Sequence, residues 1–377
     1  MSRSIALRCL AGALAAGLAA AAHADIVIGG TFTATGPNAP IGGPGKNAMA
    51  IYPSVIGGQP VKVIVLDDAC DPTVAARNMR KLVEEEKADV VIGSSCTPAC
   101  LAVSEIAGER QTAQICMAPM PIRNPWAFSL PQSAMLTTDA VVEHMKASGV
   151  KTAAFIGFAD GWGDLNYEAL TRLAPAAGIK VVTNERFARN DTSVTAQVLK
   201  IIAANPDAVY VGASAAPAAL PSISLVERGY RGQVYHSPAV LNPDFLRVGG
   251  RSVEGIIAPT GPFSVRDQLP DGSPAKRLSQ EFARLYDAKY GPGTVNAFAA
   301  YAWDGYLWLD AAIPVAVKKA RPGTPEFRQA LRDALEGLNE VAGTHAVYTL
   351  SPSNHNGVDR RGRVLVRVEN GAFKLLQ

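Results

Sequence analysis

The stretch "VKVIVLDDACDPTVAARNMRKL", residues 61–82, predicts a β-strand, an acidic corner and an α-helix in direct succession. The corner ends in Asp71 and Pro72, and this pair is typical of a helix N-cap followed by the first helical residue. The residues after it place apolar side chains on one helical face, at Ala75, Met79, Leu82 and Val83. The stretch therefore predicts one strand–helix unit of an α/β protein.

Two further aspartates, Asp67 and Asp68, end the strand. Paired carboxylates are candidate cation ligands, but no histidine or further carboxylate lies nearby to complete a coordination shell. We therefore interpret the corner as a structural turn, held in place by a disulfide at Cys70, and expect no metal.

The same strand–helix pattern recurs along the chain. Further strands are expected at 25–33, 89–94, 113–119, 152–158, 179–187, 207–213, 232–238, 254–260, 345–350 and 364–375. Their apolar runs are continuous rather than alternating, which indicates parallel strands covered on both faces. Helices between them indicate βαβ units. The sequence predicts an α/β fold of two Rossmann-like lobes with doubly wound, mainly parallel sheets.

The order of the elements predicts the division into lobes. The first set of strands occupies 25–133 and ends in a segment rich in turn-forming residues at 124–133, while the second set occupies 134–260. A Pro/Gly-rich stretch follows at 258–276, and helices are then expected at 277–290, 296–318 and 324–337. A chain of this order crosses between the lobes more than once. Ligands of such sheets bind beyond the carboxyl ends of the strands, which here line a cleft.

Residues 1–24 have the pattern of a cleaved export signal, with Arg3 and Arg8 before an apolar run and Ala22-His23-Ala24 at the end. The alternative is an anchor that stays attached, but the run is short for a membrane span. We expect cleavage after Ala24 and a periplasmic location.

Four cysteines remain after that cleavage: Cys70, Cys96, Cys100 and Cys116. In an exported protein an even number favours disulfides, and four cysteines allow three connectivities. No C-x-x-C is present, which argues against a zinc knuckle or a redox pair.

Motifs for catalysis or cofactor binding are missing from the sequence. The stretch 40–47 departs from a phosphate-binding loop at Pro40 and Asn47, and no G-x-G-x-x-G, G-x-S-x-G or H-E-x-x-H occurs. The histidines that remain after cleavage show no metal spacing; they are His144, His236, His345 and His355. The near-balanced charge and the absence of a basic run argue against nucleic acid. We expect a binding protein without cofactor or metal, and not an enzyme.

Two aromatic stretches of the sequence have different interpretations. Trp162 lies in a glycine-flanked loop after a strand, within 157–164, and is a good platform for a ligand, although simple packing explains it equally well. The aromatic residues of 301–313 are interpreted as packing of a helix against a sheet.

The stretch "VLDDACDPTVAARNMRKLVEEEKADVVIGSSCTPA" (65–99) resembles the leucine/isoleucine/valine-binding proteins of ABC transporters, which are periplasmic solute-binding proteins of the type I fold. The resemblance extends through 33–42, 155–164 and 348–371. We expect a hinge of three crossovers, near Gln132, Gly261 and Asn339, the last of them by analogy with this family. The implied lobes are 25–133 with 261–339, and 134–260 with 340–377.

The resemblance also implies particular bonds. A Cys70–Cys96 disulfide is typical of the family, whereas a bridge between Cys100 and Cys116 is a separate hypothesis. The ligand carboxylate is expected at Thr97, at a helix start where the dipole favours an anion. The candidate ligand-binding residues are Ile41, Thr97, Pro98, Ala118, Met120, Ile122, Trp162, Ser214 and Ala239.

The sequence departs from the family where the ligand ammonium is held. Met120 and Ile122 stand in place of small and hydroxylated residues, and Ala239 stands in place of an acidic residue. A buried ammonium without a counter-ion costs several kcal/mol. The departure therefore favours an aromatic or branched organic acid without an α-amino group. The alternative is an ordinary aliphatic amino acid, with Asp160 or Asp164 as the counter-charge.

The expected partners are a small carboxylate ligand and an inner-membrane ABC permease, and we expect a monomer. A ligand-sensing protein that docks on a receptor is an alternative from a different class. The sequence does not separate the two, because a permease and a receptor would both recognise the same closed lobes. An enzyme would have to turn over the bound acid.

Overall fold

The computed structural model describes residues 25–376 and contains fifteen strands and eleven α-helices in that range. The expected export signal, residues 1–24, lies outside the described residues. The strands are β1 (Ile26–Phe32), β2 (Val55–Ile56), β3 (Gln59–Asp67), β4 (Val90–Gly93), β5 (Ala113–Cys116), β6 (Ala127–Ser129), β7 (Thr152–Phe158), β8 (Lys180–Phe187), β9 (Ala208–Gly212), β10 (Gln233–His236), β11 (Ile257–Thr260), β12 (Val341–Ala342), β13 (Val347–Tyr348), β14 (Val364–Glu369) and β15 (Ala372–Leu375). The helices are α1 (Ala39–Met49), α2 (Pro72–Glu84), α3 (Thr97–Glu109), α4 (Ala134–Ala147), α5 (Gly161–Leu173), α6 (Thr195–Ala204), α7 (Ala219–Glu227), α8 (Pro243–Gly249), α9 (Pro274–Tyr290), α10 (Ala297–Ala316) and α11 (Pro325–Glu336).

The strands form two main sheets, each the centre of one lobe. The first lobe is built on a six-stranded sheet of order β2-β3-β1-β4-β5-β6, parallel except for the β2–β3 pair. The second lobe is built on a seven-stranded sheet of order β15-β14-β11-β10-β9-β7-β8, whose β14 and β15 are antiparallel additions to a parallel sheet. The predicted α/β class with two mainly parallel sheets is confirmed.

The chain returns to the first lobe after β11, because α10 packs against α1, α11 and β2. It then returns to the second sheet through β14 and β15. These returns agree with the predicted order of elements, while the exact lobe boundaries stay a prediction.

Two details of the secondary structure differ from the prediction. The turn-rich segment 124–133 contains a strand, β6, and the run 364–375 is a hairpin that turns at Asn370 and Gly371, both with positive φ.

The acidic corner after β3 is a structural joint. Asp71 caps α2 by accepting hydrogen bonds from the backbone N–H groups of Thr73 (2.7 Å) and Val74 (2.9 Å), as its sequence context predicts. Asp68 is fully buried and accepts hydrogen bonds from the hydroxyls of Thr31 and Thr33, each at 2.9 Å. Burial raises the pKa of Asp68, and these hydrogen bonds oppose that change. The corner therefore ties β3 to the end of β1.

The four cysteines form two disulfides in the structure, Cys70–Cys96 and Cys100–Cys116, with Cα–Cα distances of 5.5 and 6.0 Å. The first joins the acidic corner to the residue before α3. The second joins α3 to the end of β5. Both bridges thus restrain the loops at the carboxyl ends of the first sheet.

A buried polar cluster connects the crossovers between the lobes. Tyr301 donates a hydrogen bond to Gln132 Oε1 (2.5 Å), and Gln132 Nε2 donates to the Gly362 carbonyl (2.5 Å). The His345 ring stacks on Tyr301 with 3.8 Å between centroids. Only glycine fits at position 261, since a Cβ there would lie 2.1 Å from His345 Nδ1. All three predicted crossovers therefore contact this cluster or lie close to it in sequence.

None of the helices in residues 25–376 combines the length and the apolar character that crossing a membrane requires.

The fully buried His236 at the end of β10 should make the stability of the protein depend on pH. Its Nε2 lies 2.8 Å from the Ser222 hydroxyl, and burial lowers the pKa of His236 to about 3. The unfolded chain binds a proton near pH 6.5, so this contribution is complete above that pH and is lost as the pH falls towards 3. The loss should reach about 2–3 kcal/mol at pH 4.5.

Urea unfolding of the wild type and of His236→Gln, measured between pH 4.5 and 7.5, tests this expectation. The variant should show a flatter pH dependence of the unfolding free energy, since glutamine does not titrate. Parallel curves for the two proteins would contradict it.

Candidate functional site

A cavity lies between the two lobes, beyond the carboxyl ends of both sheets. The space open to the centre of a water-sized sphere is about 50 Å³, which suits a small ligand. The residues that line it are Ile41, Ser95, Cys96, Thr97, Met117, Ala118, Pro119, Pro131, Gln132, Trp162, Arg189, Ser214, Pro238, Ala239, Thr260, Ala297, Phe298 and Tyr301. This is the position at which doubly wound sheets bind ligands.

The first lobe contributes the start of α3 to the cavity. Cys96 occupies the N-cap position, and its sulfur is bonded to Cys70, so no side chain caps the helix. The Thr97 hydroxyl donates to the Pro119 carbonyl (3.0 Å). The first backbone N–H groups of a helix have no partner within the helix. Pro98 contributes no N–H, so the groups of this turn that remain for an anion in the cavity are those of Thr97 and Ala99.

Trp162 belongs to the second lobe and lies in the first turn of α5, not in the loop that its glycine-flanked sequence predicts. Asp160 caps this helix by accepting from the backbone N–H groups of Trp162 (2.9 Å) and Gly163 (3.3 Å). The indole is 4 % exposed, and among the described residues its Nε1 has no hydrogen-bond partner. Trp162 therefore contributes an apolar ring to the cavity wall.

Arg189, which follows β8, is fixed on several sides. Its Nε donates to Asp160 Oδ2 at 2.6 Å, its Nη1 donates to Ser214 Oγ at 3.0 Å, and its guanidinium lies 4.3 Å from the centre of the Phe158 ring. Nη1 also donates to Asn38 Oδ1 of the first lobe at 3.2 Å. No described residue accepts a hydrogen bond from Nη2. The guanidinium thus keeps donors for an anionic group.

The cavity has a positive electrostatic character. Within residues 25–376, Arg189 is the one charged side chain that lines it. Burial lowers the pKa of Arg189, and the Asp160 carboxylate opposes that change, so the guanidinium stays protonated at neutral pH. Asp160 is already paired with Arg189, and Asp164 pairs with Arg186 at 3.1 Å and is exposed. Neither carboxylate is available to hold an ammonium group in the cavity.

Six of the nine predicted residues line this cavity: Ile41, Thr97, Ala118, Trp162, Ser214 and Ala239. Pro98, Met120 and Ile122 do not, which corrects their expected positions. Pro98 is the second residue of α3. Met120 packs with the Cys100–Cys116 bridge and lines a separate groove, and Ile122 is 36 % exposed. Trp162, Phe298 and Tyr301 make the cavity apolar instead.

Two groups that the structure brings to the cavity are not predicted from the sequence. Arg189 lies in a polar segment after β8, where the rule that ligands bind at the carboxyl ends of strands could have identified it. Phe298 and Tyr301 lie on α10, and Tyr301 begins the aromatic stretch that was interpreted as packing. No local signal separates a cavity-lining aromatic from a core one.

A sequence model of the family described as periplasmic binding protein matches residues 25–372. The chain belongs to the periplasmic binding protein family. Among curated relatives of this binding protein is an amino acid binding protein of Pseudomonas aeruginosa, 28 % identical over 277 residues, which span 68 % of the chain and 72 % of the relative.

Two solved structures are similar to this periplasmic binding protein over nearly its whole length. One is a protein of Rhodopseudomonas palustris strain CGA009, with 43 % identity and a TM-score of 0.92, covering 94 % of this chain and 100 % of the other. The second is an extracellular ligand-binding receptor from R. palustris HaA2, with 42 % identity, a TM-score of 0.92 and the same coverage. The type I periplasmic binding fold is therefore confirmed.

Proposed function

We propose that the protein is an extracytoplasmic solute-binding protein of an ABC importer, which captures a small carboxylate without an α-amino group between its lobes and delivers it to a permease. The expected release after cleavage at Ala24, the periplasmic location and the monomeric state belong to this proposal. The family supports an extracytoplasmic location.

The observation that carries the proposal is the charge of the cavity. Arg189 provides a cation with a free donor edge, and within the described part of the chain no carboxylate lines the cavity to act as counter-ion for an ammonium. Ala239, which occupies the position of the family's acidic residue, lines the cavity and adds no charge there. A zwitterionic amino acid would place its ammonium in a site that offers only a cation, at a cost of several kcal/mol. A simple carboxylate meets no such cost.

The start of α3 supports the same proposal from the other lobe. Its uncapped N–H groups and helix dipole favour negative charge, so a ligand carboxylate between the lobes interacts favourably with both walls. The resemblance stated above places the carboxylate grip at Thr97, and here Thr97 lines the cavity with Arg189.

The apolar wall favours an aromatic or branched remainder of the ligand. Trp162, Phe298 and Tyr301 present large rings to a small cavity. Two structures of the same fold provide a precedent: a solute-binding protein of an R. palustris ABC transporter in complex with benzoate, and one from R. palustris BisB5 in complex with 3,4-dihydroxybenzoic acid. They are 21 % and 20 % identical to this chain and show the fold alone.

Amino acid binding is the second candidate, and the name of the P. aeruginosa relative favours it. In that case the ammonium would need a carboxylate that the cavity lacks, and Asp160 would have to leave Arg189. The two candidates therefore predict opposite effects of an α-amino group on the affinity for the ligand.

Transport follows from closure of the lobes on the ligand. A ligand shifts the equilibrium towards the closed form only through contacts that it makes better in that form. A carboxylate held by Arg189 of one lobe and α3 of the other supplies such contacts. The closed lobes then form the surface that the permease recognises.

Matched ligand pairs test the role of the amino group. We expect 3-phenylpropanoate to stabilise refolded residues 25–377 more than L-phenylalanine does, and 4-methylpentanoate more than L-leucine, because only the amino acids carry an ammonium. A ligand at a hundredfold its Kd adds about 2.7 kcal/mol to the unfolding free energy. Thermal unfolding of non-reduced protein measures the effect. A larger shift with either amino acid would contradict the proposal.

Removal of the cation tests the site itself. The double variant Asp160→Asn/Arg189→Met deletes the ion pair and keeps an asparagine at the N-cap of α5, so no charge is left unpaired. Loss of a charge-assisted hydrogen bond of about 1.5–3 kcal/mol should weaken carboxylate binding by roughly 10- to 100-fold. Titration calorimetry measures the change.

Arg247→Met serves as the matched control, because Arg247 is exposed and pairs with Asp244 within α8 (2.8 Å), away from the cavity. It should bind carboxylates like the wild type. Equal affinity in the double variant and the wild type would show that Arg189 does not hold the ligand.

A further inference from the structure

The Asn38 side chain makes no hydrogen bond to the helix that it precedes. It occupies the N-cap position of α1, and asparagine there normally accepts a hydrogen bond from the first helical turn. Here the structure shows no such bond. The Asn38 side chain is 3 % exposed and its Oδ1 instead accepts from Ser214 Oγ (3.0 Å) and from Arg189 Nη1 (3.2 Å).

These two hydrogen bonds cross from one lobe to the other. Asn38 precedes α1 of the first lobe, whereas Ser214 and Arg189 follow β9 and β8 of the second. The remaining bonds of Arg189, to Asp160 and Ser214, lie within the second lobe and do not require closure. Separation of the lobes therefore breaks the bonds of Asn38 and leaves the others intact.

We propose that Asn38 is a positioning residue, which orients the Arg189 guanidinium towards the ligand and couples that orientation to closure of the lobes. This proposal rests on the proposed function, in which Arg189 binds a ligand carboxylate. Asn38 is suited to the role because its oxygen is a neutral acceptor. It holds Nη1 without cancelling the charge that attracts the ligand.

The role predicts that two substitutions weaken carboxylate binding in different ways. The shorter serine side chain in Asn38→Ser cannot bridge the cleft to Ser214 and Arg189. Serine is a good N-cap residue, so the fold is preserved. The variant should speed dissociation of 3-phenylpropanoate about tenfold, with an association rate within about twofold of the wild type, since the lost bonds form on closure. Asn38→Asp should form an ion pair with Arg189 across the cleft. It should favour closure without ligand and weaken carboxylate binding.

Stopped-flow binding of 3-phenylpropanoate and small-angle X-ray scattering of the ligand-free proteins provide the two readouts. The radius of gyration of ligand-free Asn38→Asp should fall towards that of the liganded wild type. Asn47→Ala is the matched control, because Asn47 lies on the same helix and donates to the Tyr286 hydroxyl (3.3 Å) within the first lobe. It should change neither readout.

The outcomes separate this inference from the proposed function. If the wild type binds 3-phenylpropanoate and Asn38→Ser releases it no faster than Asn47→Ala does, the role of Asn38 is refuted and the proposed function stands. If the wild type binds no carboxylate, the proposed function fails. In that case, small-angle scattering of ligand-free Asn38→Asp still tests whether Asn38 is coupled to closure of the lobes. A radius of gyration equal to that of the ligand-free wild type refutes the coupling.

Discussion

The ion pair between Arg189 and Asp160 sets the charge at the wall of the cavity between the lobes. A guanidinium in a largely apolar cavity is stable because Asp160 pairs with it at 2.6 Å and the Phe158 ring covers one face. Asp160 also caps α5, so its carboxylate interacts both with Arg189 and with the N-terminus of that helix. Among residues 25–376, the pair leaves the cavity with a cationic donor and with no free carboxylate. On the proposed function, this asymmetry suits the cavity to simple acids rather than to amino acids.

The rest of the molecule holds the two walls of this cavity in place. On the first lobe, buried Asp68 ties β3 to the hydroxyls at the end of β1, and the two disulfides fasten the start of α3 and the end of β5. The wall that carries the helix N-terminus is therefore rigid before any ligand arrives. The crossovers contain the packed cluster of Gln132, Tyr301 and His345, and Gln132 and Tyr301 also line the cavity. On the proposed function, the lobes close about these crossovers while the restrained wall keeps its shape.

Much of this could be predicted from the sequence, because strands buried on both faces and the Asp71 cap leave local patterns. The resemblance to a family placed Thr97, Trp162 and Ser214 near one cavity, and the structure brings them there. Arg189 was missed because its segment is polar and its importance arises from contacts with Asp160, 29 residues away. Met120 packs on the Cys100–Cys116 bridge and does not line the cavity, and no pattern in its own segment indicates this. Properties that depend on pairing across the fold leave no local pattern.

A crystal structure of the complex with 3-phenylpropanoate tests the central claim most directly, since it shows which ligand group meets which wall. The account predicts that a carboxylate oxygen lies within about 3 Å of the Arg189 guanidinium, with the ring against Trp162, Phe298 and Tyr301. A ligand whose carboxylate points away from Arg189, with its apolar end against the guanidinium, would contradict the account.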